Sequence, residues 1–518
     1  MSKLKKENLM KTKTKIIACL MALLLVSALF AACDNTPKTV DKTDKTGAPE
    51  NSGTGTAPVT EINKDSYEYA KSRIPDVKFD GAELRILISP ASTAYDPANA
   101  YRSRNVYTEE LIEVPINDAV YERNQFLESA LGIVITPIQE ANPTEALRKS
   151  CAGNLDTYDF AFLPMNAGAG LATANYLIDL KSVNGLALDE VWWDQSAIKE
   201  LSIGDKLYIT ASDGDILDKQ TTWGTMFNKR LIEDTDGLEI PYTTVLEGNW
   251  TADKYIEYSK AVKDDLNGDG KYDANDKWGI ITENNSIVGF YFGFGGYIAK
   301  KNEEDIPEFD MTNARAASAI EKAFEIVLNG ETTIRCEKMT GQPSGVSVWL
   351  HASTMFTNDQ ALFRSTDLNS VERWRAMDAD FGIIPMPKLD KDQEYYSCGV
   401  ATGTGTGVCI PTTNTDLDFT GICLEAFVSA SRYTLREGYY ESTLGGIISR
   451  DDESRKMLDI IFQTRHFDLG YIFDWGGMGY LLRTMGDANN TNFASEYDKK
   501  IEAAQKAMDE TLAAFDLA

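Results

Sequence analysis

Three short apolar runs at 84–88, 133–136 and 158–163 constrain the fold more than any other feature, because an amphipathic stretch at 116–131 fills the gap between the first two. Runs of four to six apolar residues, bounded here by Gly132, Pro137 and Pro164, read as strands buried on both faces. The spacing predicts a helix over 116–131 that stops at Gly132, and strands at 133–136 and 158–163 ended by their prolines. Strand, helix, strand at this pitch is a βαβ unit, so the class is α/β with a parallel sheet. Further on, 381–384 reads as another buried strand. Ile320, Phe324, Val327 and Leu328 share one helix face, with Asn329-Gly330 as a left-handed stop. Tyr497, Ile501, Ala504, Met508, Leu512 and Phe515 form the cleanest stripe, with Ser495 and Asp498 at capping-box spacing before it. No repeat of solenoid or propeller period occurs.

The N-terminus reads as an address label. Six Lys and one Glu in the first fifteen residues precede an uncharged apolar run at 16–30, and Phe30-Ala31-Ala32-Cys33 follows. That is a secretory signal with a small-residue cleavage site, too short for a permanent span. A Cys directly after the small pair matches a bacterial lipobox, so cleavage before Cys33 and a diacylglycerol on its sulfur are expected. Residues 34–60 are Thr, Lys, Asp, Gly and Pro with almost nothing to bury, the composition of a disordered tether. Cys151, Cys336, Cys398, Cys409 and Cys423 show no metal spacing and read as small buried residues whose pairing the sequence does not assign.

Charge narrows the partners. With 79 acidic against 51 basic residues in 518 and a net charge of −28, the surface repels phosphate backbones and anionic lipid, which excludes nucleic acid and leaves the membrane to the lipid anchor alone. Enzyme signatures are mostly missing. His351 and His466 are the two histidines, and neither sits in a zinc or triad motif. GQPSG at 341–345 fails the nucleophile-elbow spacing, and GAGLAT and GTGTGV lack the third glycine of a dinucleotide loop. A surface-anchored glycan hydrolase stays open as the alternative, since so many carboxylates permit a catalytic pair.

One loop carries metal chemistry. In DLNGDGKYDAND, Asp265, Asn267, Asp269, Asp273 and Asp276 fall at positions 1, 3, 5, 9 and 12 of a calcium loop, with Gly270 at the sharp turn and Lys271 offering a carbonyl. A shorter Asp replaces the usual closing Glu. Thr251 as N-cap and a Trp250–Tyr255 staple start a helix into the loop, and Trp278-Gly279-Ile280-Ile281 leaves it as strand, so the expected Ca²⁺ is a structural clip.

The chain resembles the extracellular solute-binding proteins of ABC importers, family 1, the carbohydrate-type lipoproteins of Gram-positive bacteria. The signal with Cys33, ELRILI, PINDAVYERNQFLESALGIVI, VWWDQSAIKELSIGDKLYITASDGD, TTWGTMFNKRLIED, FTNDQALFRS, DFGIIPMPK and HFDLGYIFDWGG carry the resemblance by their order, from about Gly81 to Ala518. It implies a two-lobed periplasmic-binding-protein-like fold of type II, each lobe a sheet flanked by helices. Signal peptide 1–32 and tether 33–60 would precede lobe 1 (61–214 and 395–436) and lobe 2 (215–394 and 437–518), with chain crossings near 209–222, 389–396 and 433–440. It further implies a monomer on the extracellular face of the cell membrane that binds a carbohydrate, an oligosaccharide by preference, and delivers it to a permease without catalysis. Aromatics beside Gly or Asp suit sugar faces and hydroxyls. The cleft residues carried over are Asn166, Asp213, Asp215, Trp223, Phe294, Thr366 and Trp475.

Overall fold

A computed structural model describes residues 66–91, 103–374, 377–444 and 452–517; the expected signal, tether and lipid-bearing Cys33 lie outside the described residues. Two sheets organise the described chain. The first has the order β12-β3-β1-β2, built from β1 (Ala82–Ile88), β2 (Ile133–Gln139), β3 (Phe160–Pro164) and β12 (Thr406–Cys409). β1 runs parallel to β2 and β3, while β12 returns antiparallel to β3. Leu84, Ile86, Leu87 and Ile88 are fully buried, as a central strand covered on both faces requires. The helix Pro115–Leu131 links β1 to β2, and Gly132 stops it at φ 64°, donating its N–H to Glu128. β2 continues through Pro137 to Gln139 instead of ending there, because an edge strand has no second neighbour to miss the proline N–H.

The second sheet has the order β10-β4-β9-β5-β8, from β4 (Trp223–Asn228), β5 (Trp278–Thr282), β8 (Thr333–Arg335), β9 (Ala361–Asp367) and β10 (Phe381–Ile384). It is mixed: β4 is antiparallel to both β9 and β10, and β5 is parallel to β8 and β9. Two small ribbons complete the strands, β6 (Ala299–Lys301) with β7 (Pro307–Phe309), and β11 (Cys398–Gly399) with β13 (Arg465–His466). The chain passes from the first sheet to the second through 209–222, which holds a helical turn at Leu217–Gln220, and returns through 398–405. These passages run side by side: Thr222 bridges Val400, and the Ala401 N–H donates to the Thr221 carbonyl at 2.9 Å. The stretch 389–396 is tied to second-sheet elements, Gln393 donating to Gly293 O and Tyr396 to Val245 O.

Local sequence signals hold in part. Thr251 caps the helix Ala252–Ala261, and Trp250 meets Tyr255 edge-on at 6.0 Å. Asn329, by contrast, is extended at φ −76°, its side chain accepting from Glu331 N, so an Asx turn ends the helix Ala314–Leu328 where a left-handed stop was expected. The C-terminal stripe divides into Phe493–Asp498 and Ile501–Ala514. Asn492, not Ser495, is the cap, its side chain accepting from Ser495 N. Cys151, Cys336, Cys398, Cys409 and Cys423 are buried free thiols. No helix among the described residues is long and apolar enough to cross a membrane.

Candidate functional site

Where the two passages meet, side chains from both sheets converge on a polar seam. Asn166 sits in the first turn of the helix Met165–Thr173, delivered there by the end of β3, and its N–H donates to Thr402 O at 3.2 Å. Its side chain lies close to the Tyr480 hydroxyl. Gly403 lies beneath both: an added Cβ would come within 3.1 Å of Tyr480 Oη and 3.7 Å of Asn166 Nδ2. Tyr480 packs 5.3 Å from Tyr471, whose hydroxyl lies close to Asn285 just after β5. A chain of polar and aromatic groups therefore runs from the first sheet to the second.

That seam contains oxygens with nothing to accept. Thr402 Oγ1, Gln220 Oε1 and Asn285 Oδ1 are buried with no hydrogen-bond partner among the described residues. A buried acceptor left unpaired costs about 1–3 kcal/mol, a cost that ligand hydroxyl donors would remove. Nearby, burial pushes the Glu283 carboxyl up to about 7 although Arg364 opposes the shift. Arg364 is itself buried, and among the described residues its side chain's one hydrogen bond goes to Cys336 Sγ at 3.7 Å.

The other residues marked from sequence divide by environment. Trp223 opens β4 with its indole against Gly289, where a Cβ would come 2.6 Å from the ring. Thr366 stands opposite Gly224, next to Trp223, in the β4–β9 register. Asp213 and Asp215 lie on the first passage. Against the cost of burial, Lys219, Arg436 and Arg432 hold Asp213 below the usual carboxylate range. Asp215 accepts from Asn105 Nδ2 at 2.7 Å, and burial together with Asp218 pushes it up to about 7. Phe294 and Trp475 join the core. Phe294 packs 5.9 Å from Phe290, while Trp475 stacks on Phe473 at 5.0 Å and donates to Thr511 at 2.9 Å. Tyr471, Tyr480, Thr402 and Gly403 were not marked; nothing local distinguishes them from core tyrosines or loop residues.

In the calcium-type loop the side chains bond their own turn. Asp265 accepts from Gly268 N and Gly270 N, Asn267 from Asp269 N, Asp269 from Lys271 N, and Asp276 from Leu266 N and Asp273 N. The donor set is all hard oxygen, the class Ca²⁺ takes. Among the described residues, no three His, Cys, Asp or Glu side chains converge as a metal-holding group.

No protein-family model and no curated protein matches the sequence. Solved structures do. A cyclo/maltodextrin-binding protein complexed with maltotetraose is 13% identical, with 84% of this chain and 98% of that one covered at TM-score 0.52. The maltose/maltodextrin-binding domain MalE from Bdellovibrio bacteriovorus, bound to maltotriose, is 13% identical over 83% and 100% at 0.51. UgpB from Mycobacterium tuberculosis, in complex with glycerophosphocholine, is 12% identical over 84% and 99% at 0.52. At these identities the likeness is one of fold: the chain has the two-lobed, periplasmic-binding-protein-like α/β architecture.

Proposed function

We propose that this chain is an extracellular substrate-binding protein of an ABC importer, held at the membrane by a lipid on Cys33, which takes a carbohydrate between its two lobes and hands it unchanged to a permease. The observation that carries this reading is the polar seam between the sheets, with its unpartnered buried oxygens and its tyrosines Tyr471 and Tyr480. Hydroxyl donors suit those acceptors, and ring faces suit the apolar faces of sugars. In this reading Asn166, Tyr480 and Asn285 touch ligand, with Trp223 and Thr366 behind them in the second sheet. A ligand bonded to both lobes favours the closed form in proportion to the contacts made only there.

Thermal unfolding with a panel of mono- and oligosaccharides tests this. Ligand at one hundred times its Kd adds about 2.7 kcal/mol of stability, a melting shift of about 2–4 °C or more. Asn166→Ala is expected to abolish the shift without moving the melting temperature of the free protein by more than about 2 °C. Shifts that survive the substitution would move the site elsewhere, and release of new reducing ends would install the hydrolase reading instead.

We infer further that the 265–276 loop takes a structural Ca²⁺ through Asp265, Asn267, Asp269, Asp273, Asp276 and the Lys271 carbonyl. Support comes from the oxygen donor set and its register. Chelation should lower the melting temperature by a few degrees and Ca²⁺, unlike Mg²⁺, should restore it. Identical melts with and without chelator would reduce the loop to a turn closed by its own amides.

A further inference from the structure

Away from the seam, a cavity of about 340 Å³ opens between the segment 191–196, the first passage, and the helices Leu435–Leu444 and Asp452–Gln463. Its wall is unusual for so acidic a chain, since Lys219, Arg432, Arg436 and Arg465 all line it. Three of these cations are matched. Asp213 takes Lys219 at 3.4 Å and Arg432 at 3.0 Å, and Arg465 is paired with Asp194 and with Asp218. Arg436 is the one with no carboxylate closer than 3.9 Å among the described residues, although Asp213 also feels its charge and Asp459 lines the same wall. The carboxylate nearest Arg436 is the adjacent, exposed Glu437 at 3.9 Å, and its guanidinium lies 5.1 Å from the centre of the Tyr440 ring. The side chain is 28% exposed, so the fork is held by an aromatic face and open to the cavity.

We propose that this cavity is a second binding site, for a small anion carrying a carboxylate or phosphoryl group, gripped by the Arg436 fork. A planar guanidinium presents two parallel N–H donors that match two oxygens of either group, which a neutral polyol does not. Trp193 and Tyr440 supply apolar wall for whatever small body bears the charge, while Lys219 and Arg432 remain paired with Asp213. None of the seam residues Asn166, Thr402, Tyr471 or Tyr480 lines this cavity, so the proposal stands whether or not the seam binds sugar.

The test is a pair of titrations of the full chain followed by melting temperature and by calorimetry, one with inorganic phosphate and one with malonate, each against sodium chloride at equal ionic strength. The expected result is a saturable upward shift with at least one anion that chloride does not reproduce; the anion that gives it identifies the group recognised. Arg436→Gln should weaken that affinity at least tenfold, and R436K, which keeps the charge without the fork, should fall between. Asn166→Ala should leave it unchanged. A shift equalled by chloride, no shift with either anion, or full affinity in R436Q would each overturn the proposal.

Discussion

Replacing Arg465 by Met is expected to cost about 3–5 kcal/mol of folding stability, seen as a lower urea midpoint at pH 7 with an unchanged slope. The side chain is 6% exposed and its guanidinium serves two carboxylates, Asp194 and, at 2.6 Å, Asp218, which is fully buried. Desolvation opposes the charge on Arg465, and the coulombic pull of Asp194 and Asp218 more than restores it, raising its pKa above the ordinary arginine value. Methionine fills similar volume but leaves two carboxylates without that cation, and Lys219, 3.4 Å from Asp218, already serves Asp213. The loss therefore comes from stranded charge more than from lost packing. Arg465→Met combined with Asp194→Asn and Asp218→Asn should recover most of it, because a buried ionic group replaced as a whole costs little. A single-variant loss under about 1 kcal/mol would show that water reaches these carboxylates.

What the chain order reveals and what it hides follow from the range of the interactions involved. β1, the helix Pro115–Leu131 and its Gly132 stop are written in periodicity and in one left-handed glycine, all local. The Thr251 cap and the Trp250 staple are equally local, and the structure has both. Asn166 with Tyr480 is not local: the pair exists only because the end of β3 and the C-terminal helices are folded together. The aromatics beside glycine show how a local pattern misleads. Asp474 at φ 47°, Gly476 at φ 58° and Gly477 at φ 75° bend the chain so tightly that Trp475 turns inward onto Phe473, and Gly476 backs onto Ala504 with no room for a Cβ. At Phe294 the same holds, since Gly295 is left-handed and Gly296 lies against the Tyr291 ring. In both places glycine marks a turn needed for packing, and the ring it accompanies is core. GTGTGV at 403–408 repeats the lesson, with Gly405 and Gly407 set against Thr221 and Ile209 of the first passage.

Stability should fall steadily as pH rises from about 5 to about 9, by an amount on the order of 8 kcal/mol, because His466, Asp215 and Glu283 all hold protons longer in the folded chain. His466 is 4% exposed, with Nδ1 3.7 Å from Glu200 and Nε2 3.8 Å from Asp468. Burial pushes its pKa down, but Glu200 and Asp468 outweigh burial and carry it up to about 9. The unfolded imidazole releases its proton near 6.5, so the folded state's advantage is complete below that pH and gone once pH passes about 9, a loss of about 3 kcal/mol. Asp215 works from the other side of neutrality. Its carboxyl, pushed up to about 7, keeps a proton that the unfolded chain gives up near 3.8, so a penalty grows from pH 4 and is complete above 7, on the order of 4 kcal/mol. Glu283, also raised to about 7, adds in the same window. Asp213, held low by its cations, acts only below pH 4; Glu425, raised by burial, acts in the same direction as the three, and the buried thiols of Cys336, Cys398, Cys409 and Cys423, pushed up by burial, join them above about pH 8.5. His466→Gln should flatten the curve between 6.5 and 9 and leave the acid side alone, whereas Asp215→Asn, which can still accept from Asn105 and Leu217, should flatten the acid side and raise stability at pH 8. Urea midpoints of the three proteins at half-unit steps of pH would separate the two contributions. A flat profile in the unsubstituted chain would mean that water or a counterion reaches both groups and that neither is buried as the fold requires.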